Sequence, residues 1–557
     1  MNSSKSAPLA DGQSEDSFEI GRGAGIEGIS AVGLAMTRQP NFLFIITDQH
    51  RADWLGCYGH PVLRTPHIDA LAARGTLFED FHVAAPVCMP NRASLMTGRW
   101  PSVHGLRYNG CILPQSATTF VDRLASAGYR TAAIGKSHLQ PFTGLPPQGR
   151  DFDPDVERIE AWKTNLGDYG QEEPDRYTGE VGYYDFPTPY YGFQHVDMVT
   201  GHGDRCGGHY GQWFRQTAPD WQALHDRTNQ LPHNYRCPQA FRTPVTEGMY
   251  PTGYIRDRAI DFIQNQSAAN QPFFAFVSFP DPHHPFNPPG RYWDLYSPDD
   301  FELSLPYSAH RNPTPPMRYL RDQWQGAGEQ ATPQTAMMLD DQALKEMMAL
   351  TAGMIAFIDD AVGEILQALK ANELDQDTVV CFTSDHGDLL GDFNMALKGA
   401  LPFRGVTRVP FIWSDPRNPQ PRRTSALAST VDISATILDR AGVRAFNGIQ
   451  GQSLEPVLSG NHAEHRDELL IEFNDGGRRV GFDAPARLRS LVTRDWRYTI
   501  YLNQPWGELY DLRNDPNETH NLWDDATAAG VRAHLAGRLN HHLTAQMDES
   551  PESLRLA

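Results

Sequence analysis

Residues 42–49 read Phe42-Leu-Phe-Ile-Ile-Thr-Asp-Gln49, an apolar run that ends abruptly in polar residues. Continuous hydrophobicity over this length is typical of a strand buried on both faces of a parallel sheet. Similar runs follow at residues 131–134, 273–279 and 378–383. Helical patterns lie between them, the clearest over residues 342–370, where apolar side chains recur at helical spacing. This alternation predicts an α/β fold with a large, mixed but mainly parallel sheet flanked by helices.

Composition divides the chain of 557 residues into unequal parts. Residues 1–36 are polar and rich in Gly and Ser, which predicts a disordered tail ahead of a large domain over residues 37–455. Within that domain, residues 141–251 are rich in Gly, Pro, Tyr, His and Trp and show weak periodicity. We therefore predict that they form a loop-rich insertion over one end of the sheet.

Two further segments complete the predicted organisation. Residues 313–335 are predicted to form another loop. Short alternating segments at residues 491–501 and 508–512 predict antiparallel strands, and a helical pattern follows Ala526. Residues 456–557 are therefore predicted to form a smaller C-terminal α+β domain with a tail.

The formal net charge of −20 opposes binding to nucleic acid or to an anionic membrane, since both would repel the protein at long range. An anionic substrate would then need a pocket in which cationic groups gather locally. No apolar run reaches the length of a membrane-spanning helix, and no secretory signal is recognised. The six cysteines form no CxxC pair, which argues against a disulfide framework and makes a cytoplasmic location the expectation.

Polar residues suited to chemistry follow each predicted strand at once. Sites in open α/β sheets form outside the carboxyl ends of the strands, so these residues are expected to converge in one crevice. In chain order they are Asp48-Gln49, Gly135-Lys136-Ser137-His138, Asp281-Pro282-His283-His284 and Ser384-Asp385-His386.

Two carboxylates in this set, Asp48 and Asp385, come from distant parts of the sequence, and His386 lies beside the second. Oxygen ligands with one imidazole suit a divalent cation such as Mn²⁺ and are compatible with Ca²⁺ or Mg²⁺. A single Asp after a strand is more often a helix cap or a turn residue. The complete set favours a metal site over that simpler interpretation.

The most distinctive motif is Cys88-Met-Pro-Asn-Arg-Ala-Ser-Leu-Met-Thr-Gly98. Taken alone, Cys88 could be a buried inert thiol, a zinc ligand or the thiolate of a phosphatase loop. No other Cys has zinc-site spacing, Arg92 is only four residues away and no Gly-rich cradle follows, which disfavours the last two. Pro90 suits the first turn of a helix, which would place Cys88 at the positive helix end.

Cys-x-Pro-x-Arg followed by Leu-x-Thr-Gly resembles the formylglycine signature of the sulfatase family, within the alkaline phosphatase superfamily. The strand-end motifs and Lys398 occur in the order typical of that family, and residues 508–522 resemble its C-terminal domain. The resemblance covers nearly all of residues 40–522 and implies an alkaline phosphatase-like fold.

The resemblance also implies the chemistry. Cys88 would be oxidised to formylglycine (3-oxoalanine) by a separate formylglycine-generating enzyme. The hydrated aldehyde would lie on one divalent metal ion, Mn²⁺ or Ca²⁺, at positions that match Asp48, Asp385 and His386, with Gln49 as a further candidate ligand. One diol oxygen would attack sulfur as the alcohol leaves, and the second hydroxyl would then collapse to the aldehyde and expel sulfate.

Roles for the other polar residues follow from the same resemblance. Arg92 would brace the formylglycine, and His138 would orient the diol and assist its collapse. Asn109 matches an active-site Asn of some branches of the family. The groups that would neutralise the sulfuryl oxygens are Lys136, His283 and Lys398, and either of the last two would protonate the leaving oxygen.

Some positions depart from the usual pattern of the family. Many sulfatases carry Asp and Asn where this chain has Gln49 and His386. Both replacements resemble the branch that contains choline sulfatases and phosphonate monoester hydrolases, and the added nitrogen ligand shifts the preference toward Mn²⁺ over Ca²⁺. Within that branch, Lys136 and His138 resemble the sulfatases rather than the phosphonate hydrolases, in which this pair is typically replaced. Asn91 stands where Ser or Ala is more usual.

The leading functional hypothesis is hydrolysis of small anionic sulfate monoesters, of the arylsulfatase type, with side activity on phosphonate or phosphate esters. The second is a phosphonate monoester or phosphodiester hydrolase. The third is a non-catalytic anion-binding relative in which Cys88 stays an unmodified thiol. Transfer of the group to an alcohol and assembly as a homo-oligomer are left open.

Overall fold

The computed structural model describes residues 39–146, 160–163, 166–179, 182–266, 271–327 and 335–555. The predicted tail over residues 1–36 lies outside these ranges. The strands are β1 (Asn41–Thr47), β2 (Thr76–Phe78), β3 (Phe81–His82), β4 (Arg130–Gly135), β5 (His195–Thr200), β6 (Phe273–Ser278), β7 (Met337–Met338), β8 (Thr378–Ser384), β9 (Met395–Ala396), β10 (Phe411–Ser414), β11 (Arg422–Thr424), β12 (Ala428–Ser429), β13 (Glu468–Asn474), β14 (Arg487–Thr493), β15 (Trp496–Tyr501) and β16 (Gly507–Asp511).

The helices vary widely in length. They are α1 (Pro66–Ala72), α2 (Cys88–Thr97), α3 (Pro101–His104), α4 (Phe120–Ser126), α5 (Gly208–Thr217), α6 (Trp221–His225), α7 (Pro251–Gln264), α8 (Pro315–Ala327), α9 (Asp341–Ala371), α10 (Arg404–Thr407), α11 (Val431–Arg440), α12 (Glu455–Leu458) and α13 (Ala529–Ala545). The predicted helix over residues 342–370 is confirmed as α9.

An eight-stranded sheet forms the centre of the fold, in the order β11-β2-β10-β8-β1-β6-β4-β5. All its strands run in one direction except β10, which pairs antiparallel with both β8 and β2. All four predicted strands belong to this sheet, and β1 lies between β8 and β6. The prediction of a large, mixed and mainly parallel sheet is therefore confirmed.

The side chains of β1 explain why its sequence is continuously apolar. Leu43 and Ile45 point into one hydrophobic core, which includes the buried faces of α1, α7 and α9. Phe42, Phe44 and Ile46 point into a second core, which includes α2, α4 and α11. Both faces of the strand are thus covered by helices, so no position along β1 faces solvent.

A four-stranded antiparallel sheet, β13-β14-β15-β16, follows late in the chain. Helix α13 packs on it through Leu535 and Leu539, which share a core with Leu491 and Tyr498. The segment predicted as one strand over residues 491–501 contains the end of β14, a turn and β15. The smaller C-terminal region with antiparallel strands is confirmed, whereas its boundary at residue 455 stays a prediction.

The structure corrects one expectation about a loop and adds detail to a second. The predicted loop over residues 313–335 contains α8, because a helix tolerates Pro315 and Pro316 in its first turn, where no intrahelical N–H is needed. The predicted insertion over residues 141–251 contains the edge strand β5 and helices α5 and α6. None of the described helices combines the length and the apolar character required to cross a bilayer.

Candidate active site

Backbone hydrogen bonds hold the polar residues at the carboxyl ends of the central strands side by side. The amide of Asp48 donates to the carbonyl of Asp281 at 3.1 Å, and the amide of Asp385 donates to that of Thr47 at 3.1 Å. The amide of Lys136 donates to Ser278 at 3.0 Å. All four predicted strand-end motifs therefore meet in one buried crevice.

A glycine makes this convergence sterically feasible at β4. Gly135 has a φ of 105°, and a Cβ atom there would lie 2.0 Å from the carbonyl oxygen of Ser278. A residue with a side chain would be strained by its backbone conformation and would also clash with β6. Glycine at this position thus lets the chain turn from β4 into Lys136 while staying close to the neighbouring strand.

Asp48, Cys88, Asp385 and His386 form a compact buried cluster. One potential ligand atom from each lies within 4.8 Å of those of the other three. The Sγ atom of Cys88 is 3.1 Å from Nε2 of His386 and 3.7 Å from Oδ1 of Asp48. Two carboxylates in a pocket without solvent contact require positive charge nearby. Arg92 and Lys136 supply part of it, and a divalent ion among the four ligand atoms would add to it.

The hydrogen bonding of His386 fits this use. Its Nδ1 lies 2.8 Å from the carbonyl oxygen of Gly387, so Nδ1 carries the hydrogen and Nε2 presents a lone pair to the cluster. Burial lowers the pKa of His386, which keeps the imidazole neutral, as a metal ligand must be. The donor set of two carboxylates, one imidazole and residue 88 therefore suits one divalent metal ion.

Cys88 is the first residue of α2, a helix in which every side chain is buried. Burial, and then the negative charge of Asp48, raise the pKa of the Cys88 thiol to about 11. An unmodified Cys88 is therefore protonated at neutral pH, which argues against the thiolate nucleophile of a phosphatase loop. Because the side chain points into the acidic cluster, any modified form of it would lie among the same ligands.

Arg92 lies one helical turn after Cys88 and ties three strand ends together. Its Nε donates to Oδ2 of Asp385 at 2.7 Å, and Nη1 donates to the carbonyl of Lys136 at 2.8 Å and to Oγ of Ser278 at 2.9 Å. Asn91 supports the same region, since its Nδ2 donates to the carbonyl of Asp385 at 2.6 Å. The amide of Asn91 thus has a structural use that Ser or Ala could not provide.

Cationic side chains line the crevice against the negative charge of the whole chain. The Nζ atom of Lys136 forms a short ion pair with Oδ2 of Asp48. The Nζ atom of Lys398 lies 2.7 Å from Nε2 of His283. Burial by itself would raise the pKa of Asp48, but Lys136 and the other nearby cations hold it well below its ordinary value. The predicted sulfuryl-binding groups are therefore brought together.

Gln49 has both side-chain polar atoms engaged. Its Oε1 accepts from Nζ of Lys398 at 2.5 Å, and its Nε2 donates to Oδ2 of Asp388 at 2.5 Å. The structure thus places Gln49 between Lys398 and Asp388 rather than with its oxygen turned to the acidic cluster. Its use as a metal ligand stays a prediction.

His138 and Asn109 flank the crevice. His138 has a φ of 55°, its ring lies 4.0 Å from that of Phe142, and its buried Nδ1 has no partner among the described residues. Asn109 accepts from the amide of Met89 through Oδ1 at 3.1 Å, which satisfies a free N–H of the first turn of α2. Asn109 is therefore held beside residue 88 by the backbone.

The sequence analysis assigned no catalytic or metal-binding role to two residues of this crevice, Glu172 and His202. The carboxylate of Glu172 accepts from the backbone amide of His138 at 2.9 Å and is fully buried. His202 stacks on His283 with ring centroids 3.6 Å apart. A signal existed for His202, because it follows β5 as closely as the other site residues follow their strands, but β5 itself had not been recognised.

Known proteins resemble this chain over nearly its whole length. The family model described as Sulfatase matches residues 40–443, and the one described as N-sulphoglucosamine sulphohydrolase, C-terminal, matches residues 401–545. An uncharacterized sulfatase of Escherichia coli K12 is 29% identical over 500 residues, which cover 89% of this chain and 86% of that protein. An arylsulfatase of Clostridium perfringens is 27% identical over 494 residues, 87% of this chain and 90% of that one.

Among solved structures, that of the phosphonate monoester hydrolase of Agrobacterium radiobacter superposes with a TM-score of 0.73 at 25% identity, covering 93% of this chain and 98% of that one. The fold and the buried polar cluster define a hydrolase of the alkaline phosphatase superfamily. Since the family model covers most of its length, the chain belongs to the sulfatase family. It is a sulfuric ester hydrolase, which acts on anionic sulfate esters.

Proposed function

We propose that this protein cleaves sulfate monoesters as an arylsulfatase-type enzyme, with a formylglycine derived from Cys88 and one divalent metal ion, Mn²⁺ or Ca²⁺. The observation that carries the proposal is the 3.1 Å approach of Cys88 Sγ to His386 Nε2 inside a cluster that also holds two carboxylates. An inert thiol or a phosphatase-loop thiolate would not account for the place of Cys88 among potential metal ligands. A separate formylglycine-generating enzyme would be needed for maturation.

When bound, the metal ion and the formylglycine supply positive charge and the nucleophile. The protein's own residues would prepare the ester for attack. Lys136 and Arg92 are fully buried cations at the inner end of the crevice, where they would neutralise the sulfuryl oxygens. Because the crevice excludes water there, each charge acts more strongly than it would in solvent.

Proton delivery to the leaving oxygen is assigned to Lys398. The Nδ1 of His283 lies 2.6 Å from the carbonyl oxygen of His284, so its hydrogen is committed there. The Nε2 of His283 therefore accepts from the ammonium of Lys398 and has no proton of its own to give. As the bond between sulfur and the leaving oxygen breaks, Lys398 would pass one proton to that oxygen, and His283 would hold Lys398 in place.

A second activity on phosphonate or phosphate esters is favoured by one feature of the site. Gln49 stands where many sulfatases carry a second carboxylate, and this replacement resembles that of phosphonate monoester hydrolases; it also leaves the crevice less anionic and more tolerant of the dianion of a phosphate monoester. Turnover of phenyl phosphonate esters and aryl sulfates of matched leaving group would rank the two activities. A large preference for the phosphonate would reverse the order proposed here.

The decisive experiment compares the wild type with Cys88→Ala, both produced together with a formylglycine-generating enzyme. Turnover of 4-nitrophenyl sulfate is expected for the wild type and should be lost in the variant. Intact-mass analysis of the peptide containing residue 88 should show a loss equal to H₂S replaced by one oxygen atom. Full activity of Cys88→Ala, or an unmodified thiol in an active enzyme, contradicts the proposal.

A further inference from the structure

His202 lies directly after β5 and turns its ring into the crevice. The ring stacks on that of His283 with centroids 3.6 Å apart and an interplanar angle of 11°. The Nε2 atom of His202 lies 2.7 Å from Nζ of Lys136 and 3.8 Å from Oδ2 of Asp48. Lys136 and His283, two of the groups expected to act on the ester, are thus in direct contact with His202.

These contacts determine where His202 carries its hydrogen. An ammonium group only donates, so Nε2 of His202 accepts from Lys136 and the hydrogen of the neutral ring lies on Nδ1. The Nδ1–H group has no hydrogen-bond partner among the described residues and is free to donate.

A cation site is the competing interpretation of the same atoms. Asp48, His202 and His283 offer one carboxylate and two imidazole nitrogens within 4.8 Å of one another. However, Nε2 of each imidazole already faces an ammonium group, that of Lys136 for His202 and that of Lys398 for His283. The positive charge that the three donors could attract is therefore supplied by the two lysines.

Burial indicates which part of a substrate meets His202. The side chains of Asp48, Arg92 and Lys136 have no exposed surface, whereas that of His202 is 15% exposed. The charged sulfate must enter first to reach the buried cations, so the alcohol portion of the ester lies outward. His202 is thus placed on the side of the leaving group.

We propose that His202 is a further catalytic residue, whose Nδ1–H donates a hydrogen bond to the bridging oxygen of the ester as that oxygen gains negative charge. The inference rests on the function proposed above and deepens it. The bridging oxygen has two lone pairs, so it can take the proton from Lys398 and also accept from His202. No proton leaves His202, whose Nε2 stays bound to Lys136 throughout.

Three variants separate the two nitrogens and the ring. His202→Phe keeps the stacking surface and removes both nitrogens, whereas His202→Gln keeps a polar group near Nε2 and removes the one at Nδ1. His202→Asn keeps a donor near Nδ1. Each full-length, matured variant is assayed on 4-nitrophenyl sulfate, which has a good leaving group, and on phenyl sulfate, which has a poor one. His233→Phe, in the same insertion, is the matched control.

A donor to the bridging oxygen matters most when the leaving group is poor. In His202→Phe and His202→Gln, kcat/KM is expected to fall about 10²-fold for phenyl sulfate and about tenfold or less for 4-nitrophenyl sulfate. His202→Asn should lose less on phenyl sulfate than either of these variants, and His233→Phe should match the wild type. Unfolding midpoints of all variants check that the fold is retained.

Equal losses on both substrates would overturn the inference, because they indicate that His202 acts through Lys136 or through packing alone. Unchanged kcat/KM in His202→Phe would overturn it as well. In either case a wild type that turns over 4-nitrophenyl sulfate leaves the proposed function intact. A wild type with modified Cys88 and no sulfatase activity would instead remove the proposed function, and this inference with it.

Discussion

Arg92 donates from Nε to Oδ2 of Asp385 at 2.7 Å, and neither side chain has any exposed surface. The remaining guanidinium nitrogens lie against Lys136, Ser278 and Asp48, so one side chain contacts the ends of four strands, β8, β4, β6 and β1. A planar fork with several donors can do this, whereas a single ammonium group cannot. The position of Asp385 in the site therefore depends on Arg92 and on the strand ends that Arg92 contacts.

Arg92→Lys is therefore expected to be strongly destabilising, even though the substitution retains the positive charge. It leaves buried acceptors unsatisfied, and breaking a buried pair of this kind costs about 3–5 kcal/mol. Urea unfolding measures the loss, and kcat/KM on 4-nitrophenyl sulfate should fall at least about 10²-fold because the cluster is misplaced. Arg513→Lys, in the exposed pair with Asp495, is the control and should change stability little. Equal effects of the two substitutions would refute this account.

Glu172 is predicted to position His138. Its carboxylate accepts from three consecutive backbone amides, at 2.9 Å from His138, 2.9 Å from Leu139 and 3.2 Å from Gln140. It also accepts from the hydroxyl of Tyr190 at 2.6 Å. These bonds hold the backbone of His138 in its left-handed conformation, which a β-branched or bulky residue would adopt only at a cost.

Glu172→Gln turns one acceptor into a donor that faces other donors. The free energy of unfolding is expected to fall by about 1–3 kcal/mol, the cost of leaving such buried groups unsatisfied. If His138 acts on the diol, kcat should fall while KM for 4-nitrophenyl sulfate changes little. Glu173→Gln is the matched control, because Glu173 binds the amide of Gly144 away from His138. If Glu172→Gln kept the kcat of the wild type, Glu172 would have no part in catalysis.

Residues that act at the end of an apolar strand were predictable from sequence, and residues held by long loops were not. Asp48 and Asp385 follow continuous apolar runs, so the rule that sites form at carboxyl strand ends located both. His202 follows β5, whose sequence His195-Val-Asp-Met-Val-Thr200 mixes polar and apolar residues because an edge strand is only partly buried. Glu172 lies in an aperiodic segment, and only the folded chain brings it to His138.

Chelation should destabilise the folded protein as well as inactivate it. Removing an ion from among Asp48, Asp385 and His386 leaves two buried carboxylates without that neutralising charge. The free energy of unfolding is expected to fall by about 3 kcal/mol, as linkage predicts for an ion about a hundredfold above its Kd. Differential scanning calorimetry with and without EDTA measures the change.

Asp385→Asn provides the internal control for chelation. It keeps the shape of the side chain but removes one charged ligand, so EDTA should change its unfolding much less than that of the wild type. Adding back Mn²⁺ or Ca²⁺ to the chelated wild type, followed by elemental analysis, then identifies the preferred ion. Stability that is insensitive to EDTA in the wild type, with no metal found by elemental analysis, would contradict a metal site here.

His104 should make stability depend on pH at a distance from the catalytic cluster. Its Nε2 lies 3.0 Å from Oγ of Ser94, and its Nδ1 accepts from the amide of Leu106 at 3.2 Å. Burial lowers the pKa of His104 from 6.5 to about 3, so the unfolded chain binds a proton between these values and the folded chain does not. The contribution to stability is therefore complete above pH 6.5 and is lost as the pH falls toward 3.

Between pH 7 and pH 5, His104 alone is expected to remove about 2 kcal/mol from the free energy of unfolding. Asn at this position can accept from the amide of Leu106 but does not titrate in this range. The free energy of unfolding should therefore differ less between pH 7 and pH 5 in His104→Asn than in the wild type, by about that amount, whatever the stability of the variant at pH 7. Urea unfolding of both proteins at both pH values provides the comparison. The same substitution at the exposed His541 is the control. A pH dependence unchanged by His104→Asn would show that the buried imidazole takes up its proton without unfolding.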